Sequence, residues 1–285
     1  MRDLNRRLDL CSINTATLGH RAPIEDVIET VARHGFGGIC PWRRDLDGRE
    51  ASTIARRIRD AGLQVSGYCR STYIPAPDNA RFEAALADNR RAIDQAAALA
   101  AACFVLVVGS LPQGSRDLGL ARAQVEEGVA DLVEYARGAN VRLALEPLHP
   151  MYANDRSCLN TIEQALDLAE RVEPSPGARP VLGLALDAYH IWWDPQLARD
   201  IRRAGAAGRI FGYHVCDWLV PTRDLLMDRG MMGDGVIDLQ SLRREVEQAG
   251  YQGQVETEIF SERDWWRRPA DEVLSTCAER LQALC

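Results

Sequence analysis

Eight short apolar segments alternate along the chain with eight longer segments of helical periodicity, and this alternation limits the folds that the sequence can adopt. Strands that are apolar on both faces are typical of parallel sheets buried between helices. Eight strand–helix units are also the number that closes a (β/α)8 barrel. The predicted strands are residues 8–14, 37–41, 64–69, 104–109, 141–146, 181–187, 210–215 and 254–259.

Proline and glycine mark the boundaries of the segments between these strands. Pro23 and Pro269 suit the first positions of helices, and glycines such as Gly35, Gly62 and Gly250 fall where helices should end. We therefore expect an α/β protein with one domain, a single TIM barrel over residues 1–285. A doubly wound sheet is the alternative, but no G-x-G-x-x-G follows the first strand. The predicted helices are residues 23–34, 50–61, 79–102, 121–138, 160–172, 195–204, 238–249 and 269–284.

Composition excludes several classes of protein. The chain has 285 residues, 46% of them hydrophobic, and a net charge of −7 without any charged run, which opposes nucleic-acid binding. All its basic residues other than histidine are arginine, so Schiff-base and P-loop lysine chemistry are excluded. No apolar segment approaches ~20 residues, so we expect no membrane span. The eight cysteines form no C-x-x-C pair, and the N-terminus does not resemble a signal peptide, which favours reduced thiols in a cytoplasmic protein.

Four successive predicted strands end in side chains that can bind metals. Each alone has an ordinary explanation, because a carboxylate after an apolar run is often a helix N-cap. Together they should meet on one rim, where three carboxylates and an imidazole would require a cation. Such donors suit Mn²⁺, Mg²⁺ or Co²⁺. The candidates are Glu146 on the fifth strand, Asp187 and His190 on the sixth, His214 and Asp217 on the seventh, and Glu256 and Glu258 on the eighth.

Two glutamates compete for the last ligand position. Glu256 and Glu258 have the same strand parity, so both side chains can point into the barrel. Glu258 lies nearer the carboxyl end of the strand, where barrel active sites form, and this favours Glu258.

Nearly the whole chain resembles one known family, the sugar-phosphate isomerase/epimerase superfamily of xylose-isomerase-like TIM barrels. The resemblance begins with S-I-N-T-A-T-L-G at the first strand and G-F-G-G-I at the second. The more specific motifs are L-E-P-L-H-P (145–150), D-A-Y-H (187–190), H-V-C-D-W (214–218), G-D-G-V-I-D (233–238) and G-Y-Q-G-Q-V-E-T-E-I-F (250–260).

The resemblance implies a catalytic metal centre. In ketose 3-epimerases and hydroxypyruvate-isomerase-like members, residues at the matching positions bind one divalent ion; here these are Glu146, Asp187, His214 and Glu258. Mn²⁺ is the first choice, with Mg²⁺, Co²⁺ and Zn²⁺ as alternatives. Glu146 and Glu258 would also act as acid and base, and His190 would contact a substrate oxygen.

The implied function is a metal-dependent sugar or keto-sugar isomerase or epimerase, which abstracts a proton α to a carbonyl through an enediolate. A dehydratase of a keto-inositol or keto-sugar is the main alternative, since the same carboxylates would serve it. A non-catalytic sugar-binding barrel is less favoured. An endonuclease-IV-like hydrolase is disfavoured, because the additional histidines of its three-zinc site are replaced here by Y-C-R-S (68–71), V-V-G-S (107–110) and D-R-G (228–230).

Further polar residues are candidates for binding a small sugar or polyol. His149 and Arg156 follow the fifth strand, and Arg229 lies in the long loop after the seventh; Arg229 is preferred to Arg156. Asp217 would orient His214 or contact substrate. The tryptophans after strand ends would line a sugar pocket or a subunit contact, and the sequence leaves a homo-oligomer, dimer or tetramer, open. No basic, glycine-rich phosphate cradle follows strands seven and eight, which favours a non-phosphorylated substrate.

Overall fold

Eight parallel strands form the predicted barrel in the computed structural model, which describes residues 1–175 and 179–285. In the order in which they pair, the barrel strands are β3 (Gln64–Val65), β2 (Gly38–Cys40), β1 (Cys11–Asn14), β10 (Val255–Thr257), β7 (Ile210–Val215), β6 (Leu182–Asp187), β5 (Leu143–Leu145) and β4 (Phe104–Leu106). The barrel closes where the Tyr68 backbone accepts a hydrogen bond from Val105 N and donates one to Cys103 O, each 3.0 Å long. Two further strands, β8 (Asp217–Trp218) and β9 (Arg229–Gly230), form a separate antiparallel ribbon.

Strand alternation separates an outer core from the barrel interior. Leu143 and Leu145 belong to the large apolar cluster that packs against the helices, whereas Ala144 between them belongs to a small interior cluster with Val105 and Ala185. Successive side chains of a strand point to opposite faces. The residue two positions after each interior residue therefore also faces inward. Small interior residues therefore leave room for larger polar side chains one layer above them.

The helices lie close to their predicted positions. Asp78, Asp117, Thr161 and Asp238 cap four of them, each accepting a hydrogen bond from a backbone N–H in the first turn. The bounds are α1 Ile24–Arg33, α2 Ala51–Asp60, α3 Asn79–Ala98, α4 Leu118–Ala139, α5 Ile162–Val172, α6 Ala188–Ile191, α7 Leu197–Ala206, α8 Leu239–Gln248 and α9 Ala270–Leu284.

Three local differences from the sequence-based predictions have physical causes. Residues Leu8–Leu10 form a 3₁₀ turn, so β1 begins only at Cys11. The third predicted strand has only two residues in ladder geometry, because beyond Val65 the chain makes isolated bridges to its two neighbours. Helix α4 continues past Gly138 and ends at Asn140, whose φ of 56° gives the left-handed cap.

All eight cysteines lie within the described residues; each is buried and none forms a disulfide. Burial raises the pKa of several of these thiols, including Cys11 and Cys103, each to about 12. Among the described helices, none combines the length and apolar character required to span a lipid bilayer.

Candidate active site

Four side chains from consecutive positions around the barrel converge at the carboxyl ends of its strands. One ligand atom from each of Glu146, Asp187, His214 and Glu258 can be chosen so that all four atoms lie within 4.8 Å of one another. All four residues are buried. The structure therefore brings together the four residues that the sequence analysis selected as a metal set.

The local fold explains this convergence. Glu146 follows the last residue of β5 and lies two positions beyond the interior residue Ala144. Asp187 ends β6 and caps α6, accepting a hydrogen bond of 2.9 Å from Tyr189 N. In β7, glycine precedes His214 by two residues, and a Cβ at Gly212 would lie only 3.4 Å from His214 Nε2.

Hydrogen bonds link these residues to the layer below them. His214 Nδ1 lies 3.1 Å from Glu146 Oε1, and its Nε2 lies 3.7 Å from Glu256 Oε1. Asn14 Nδ2 donates to both Glu256 Oε1 and Glu258 Oε1, at 2.8 and 2.9 Å. Ser66 Oγ donates to the second oxygen of Glu256 at 2.7 Å. Glu256 is therefore held within the barrel by its own set of partners.

Arg229 brings a buried positive charge to the cluster. The antiparallel ribbon of β8 and β9 carries it to the site, where Nη1 donates to Asp187 Oδ2 at 2.9 Å and to Glu258 Oε2 at 3.1 Å. Its guanidinium lies between the rings of Tyr189 and Phe260, 4.4 and 4.7 Å from their centroids. Two cation–π contacts and two ion pairs fix its orientation.

His190 lies beside Arg229 in the one-turn helix α6. Its Nε2 lies 3.3 Å from Arg229 Nη2, and its Nδ1 accepts a hydrogen bond of 3.3 Å from His149 N. Burial lowers the pKa of His190 to about 3, although the charge of Asp187 opposes this change. At neutral pH His190 is therefore an uncharged imidazole.

The ionisable groups of the cluster perturb one another strongly. Burial raises the pKa of Glu258 to about 8, and the charge of Glu146 adds to that rise while Arg229 opposes it. Burial alone would lower the pKa of His214, but the neighbouring carboxylates of Glu256, Glu146 and Glu258 raise it well above the usual value. Crowded buried carboxylates of this kind are stabilised by a cation. The donor set, its spacing and its charge therefore fit a divalent metal ion.

A cavity with a volume of about 230 Å³ opens above the cluster. Small-molecule sites measure roughly 300–1,000 Å³, so this cavity suits a small ligand. Glu146, Glu258, His190 and Arg229 line it, together with the aromatic ring of Trp42. Its further lining residues include Phe260 and Trp266 on one side and Tyr73, Tyr152 and Leu148 on another.

Two of the predicted substrate contacts lie outside this cavity. Asp217 accepts hydrogen bonds from the backbone N–H groups of Gly233, Gly235 and Ile237, at 2.9, 2.9 and 3.0 Å. Its carboxylate therefore holds the loop after β9 in this structure. The His149 ring stacks on Trp218 with centroids 5.0 Å apart. Neither side chain is among those that line the cavity.

Several cavity residues were not identified from the sequence. His20 lines the cavity from the loop after β1, and its Nδ1 lies 2.8 Å from Asp45 Oδ1. Arg44 and Arg70 line it from the loops after β2 and β3. All three residues follow the ends of predicted strands, and this position was the only sign of their role in the sequence. In the second half of the chain, carboxylates directly after apolar segments marked the site, but the first half has no such carboxylates.

The fold and the four convergent donors define a TIM-barrel protein with a candidate centre for a divalent metal. A family model described as xylose isomerase-like TIM barrel matches residues 28–281, which is most of the chain. The chain therefore belongs to the xylose isomerase-like TIM barrel family, as its motifs predicted.

Individual relatives differ in how much of the chain they cover. A crystal structure of a protein from Sinorhizobium meliloti 1021 is 49% identical, with a TM-score of 0.93 over 98% of this chain and 99% of that chain. The inosose isomerase of Bacillus velezensis is 27% identical over 165 residues, which are 55% of this chain and 53% of the relative. The L-ribulose-5-phosphate 3-epimerase of Shigella flexneri is 24% identical over 82% of this chain and 78% of its own length. The chain thus spans about half the length of the curated inosose isomerases that it matches.

Proposed function

We propose that the protein is a metal-dependent isomerase or epimerase of a sugar or polyol, in which Glu146 and Glu258 transfer protons. One observation carries this proposal: both carboxylates line one cavity, and each has an oxygen within 4.8 Å of a ligand atom of Asp187 and of His214. Family membership supports the same class of reaction. The names of two relatives, an inosose isomerase and a ribulose-5-phosphate 3-epimerase, also agree with it.

Glu146, Asp187, His214 and Glu258 would hold the metal ion. A bound divalent cation supplies Lewis-acid polarisation of a substrate carbonyl and its adjacent hydroxyl. Three oxygen donors and one nitrogen favour Mn²⁺, with Mg²⁺, Co²⁺ and Zn²⁺ as the alternatives that metal analysis would separate.

The two glutamates would divide the proton transfers between them. One carboxylate removes the proton from the carbon next to the carbonyl and becomes a carboxylic acid. The other glutamate, in its acid form, returns a proton. Return to the opposite face of the same carbon gives epimerisation. Return to the neighbouring carbon, with transfer of the hydroxyl proton to the former carbonyl oxygen, gives aldose–ketose isomerisation. Loss of an adjacent hydroxyl would instead give dehydration.

Arg229 and His190 would bind and orient the substrate. Arg229 lines the cavity while its ion pairs with Asp187 and Glu258 hold both carboxylates in place. His190 is uncharged, so its ring nitrogen can exchange a hydrogen bond with a sugar hydroxyl without adding charge to the site. Neither residue is required to change protonation state in this scheme.

An endonuclease-IV-like activity is not favoured by the positions after β3 and β4. Arg70 and Ser110 follow those strands, where the three-zinc nucleases of the resembled superfamily carry histidines.

Solvent exchange at carbon-bound positions tests the proposal. The Mn²⁺-loaded protein is incubated in D₂O with ketoses, ketose phosphates and keto-inositols, and proton NMR follows each carbon-bound position. We expect deuterium to enter next to the carbonyl of at least one compound, with an epimeric or isomeric product. A new unsaturated or deoxy product would identify a dehydratase. Unchanged spectra across the panel, with metal bound, would refute a proton-transfer enzyme for these compounds and favour a binding protein.

A further inference from the structure

Three arginines line the cavity without pairing with its glutamates. Arg44, Arg70 and Arg156 come from the loops after β2, β3 and β5, and all three line the cavity. Arg44 is exposed, and Arg70 and Arg156 are half-buried, whereas Glu146 and Glu258 are buried. Among the described contacts, none of the three forms an ion pair with either glutamate; we call these three residues the arginine end.

These arginines lack the strong ion pairs found elsewhere in the molecule. Arg203 and Arg209, for example, lie 2.6 and 2.8 Å from glutamate oxygens. The side chain of Arg44 makes no hydrogen bond or ion pair with any residue that the structure describes, although its backbone carbonyl accepts a hydrogen bond from Asp47 N. Within the same residues, the side chain of Arg70 donates only to a backbone carbonyl, that of Ser71 at 3.1 Å. The nearest carboxylate oxygen of Arg156 is that of Asp155, at 3.9 Å.

Aromatic rings position two of the guanidinium groups. Arg70 lies over the ring of Tyr73 at 4.7 Å from its centroid, and Arg156 lies over Tyr152 at 5.5 Å. An arginine stacked on a ring keeps its N–H edge available for hydrogen bonding, and that edge matches the oxygens of phosphate or carboxylate.

The local charge of the cavity differs from that of the whole chain. The protein carries a net charge of −7, yet the carboxylates that line the cavity are only Glu146 and Glu258, among the residues described. Both of these lie at the metal-binding end. The arginine end thus carries three positive charges, and no carboxylate oxygen among the described residues lies within hydrogen-bond distance of any of them.

We propose that the arginine end binds an oxyanion of the substrate, so that the enzyme acts on an anionic sugar and not on a neutral one. The oxyanion is a phosphate ester or a carboxylate at the end of the substrate remote from the carbon that is deprotonated. This proposal rests on the proposed function. If the oxyanion is a phosphate, the proposal departs from the expectation of a non-phosphorylated substrate. That expectation rested only on the loops after the seventh and eighth barrel strands, whereas these arginines come from loops after β2, β3 and β5.

Matched substrate pairs test the proposal. The Mn²⁺-loaded enzyme is assayed with ketopentoses and ketohexoses, each as the free sugar, the terminal phosphate and the terminal carboxylate. The variants are Arg70→Gln, Arg156→Gln and the double variant, and Arg59→Gln is the control because Arg59 is 73% exposed and outside the cavity. A second readout, independent of turnover, is the Kd of inorganic phosphate measured by titration calorimetry.

We expect kcat/KM to favour an anionic member of a pair in the wild type. Each cavity substitution should lower kcat/KM for that substrate roughly tenfold to a hundredfold, because charge-assisted hydrogen bonds are lost. The neutral partner and the Arg59→Gln control should change little. Whichever of the phosphate and the carboxylate is preferred identifies the oxyanion.

The results that would overturn the anion site can be distinguished from the result that would overturn the proposed function. Equal kcat/KM for neutral and anionic sugars, or equal losses in all variants, would refute the anion site while leaving the isomerase or epimerase assignment intact. Absence of exchange with every sugar would refute the proposed function. The anion site would then be tested by the phosphate titration alone. A phosphate Kd unchanged in the Arg70/Arg156 double variant would refute the anion site.

Discussion

Two glutamates of the same strand differ in what their oxygen atoms contact. Glu258 lines the cavity and pairs with Arg229, whereas Glu256 does not line the cavity and is held by Asn14 and Ser66. The two residues are two positions apart, so both side chains point into the barrel. Glu258 lies one layer of side chains nearer the carboxyl ends of the strands than Glu256. The structure therefore places Glu258, and not Glu256, at the cavity, which is where the proposed mechanism needs a proton-transfer group.

Replacing each glutamate by glutamine should separate these roles. General acid–base catalysis contributes about 10²- to 10⁴-fold, so Glu258→Gln should lower kcat by at least 10²-fold even where metal is retained. Glu256→Gln is the matched control, because an amide keeps the shape and can still accept from Asn14. Turnover and metal content of both purified variants provide the measurement. Loss of solvent exchange in Glu256→Gln, with near wild-type exchange in Glu258→Gln, would show that the assignment on this strand is wrong.

The ribbon and loop after β7 form an element that positions a site residue from outside the barrel. Asp217 anchors it, because its carboxylate accepts from backbone N–H groups at Gly233, Gly235 and Ile237. Arg229 lies on the strand that pairs with Asp217–Trp218. The aspartate thus acts on the site through the loop that carries Arg229.

Asp217→Asn should loosen this loop without removing a substrate contact. Hydrogen bonds to charged groups contribute roughly 1.5–3 kcal/mol, so the exchange of the Gly233, Gly235 and Ile237 amides should accelerate about tenfold or more. Hydrogen-exchange mass spectrometry measures this effect. Asp238→Asn, at the cap of α8, is the control and should leave these amides unchanged. Unchanged exchange in Asp217→Asn, together with a raised KM, would instead support a direct substrate contact.

A buried ion pair joins the end of α5 to β6 and β7. Glu173 and Arg209 are each buried; Arg209 Nη1 lies 2.8 Å from Glu173 Oε2, and Glu173 also accepts from the backbone N–H of Leu182 at 3.1 Å. Removing one member of a buried pair leaves an uncompensated charge.

Glu173→Gln should therefore lower the free energy of unfolding by roughly 3–5 kcal/mol. The exposed pair of Glu163 and Arg199, with both side chains 51% exposed, is the control. Glu163→Gln should cost no more than about 1 kcal/mol. Urea denaturation of both variants provides the comparison, and equal losses would contradict a stabilising role for the buried pair.

At the scale of the whole molecule, the barrel and the metal cluster were predictable because both follow from repeated local patterns. Eight apolar runs between helices predicted the closed sheet, and the carboxylates that end β5, β6 and β10, with His214 in β7, predicted the convergence. Strand period and barrel closure are sufficient to place such residues.

The cavity wall was less predictable because it depends on loops. The sequence did single out Arg229 in the long loop after β7, but it did not show that Asp217 turns towards the backbone N–H groups of that loop. Nor did it show that His149 stacks on Trp218 instead of facing the cavity. Arginines that line the cavity resemble surface arginines in a sequence whose basic residues other than histidine are all arginine.

Four strand ends of one barrel should form a single metal centre. Anomalous diffraction from crystals grown with Mn²⁺ would locate the ion. We expect one strong peak, about 2.0–2.6 Å from an atom of each of Glu146, Asp187, His214 and Glu258, and its loss in Asp187→Asn. A peak elsewhere, or a fully occupied peak that persists in Asp187→Asn, would contradict the metal centre.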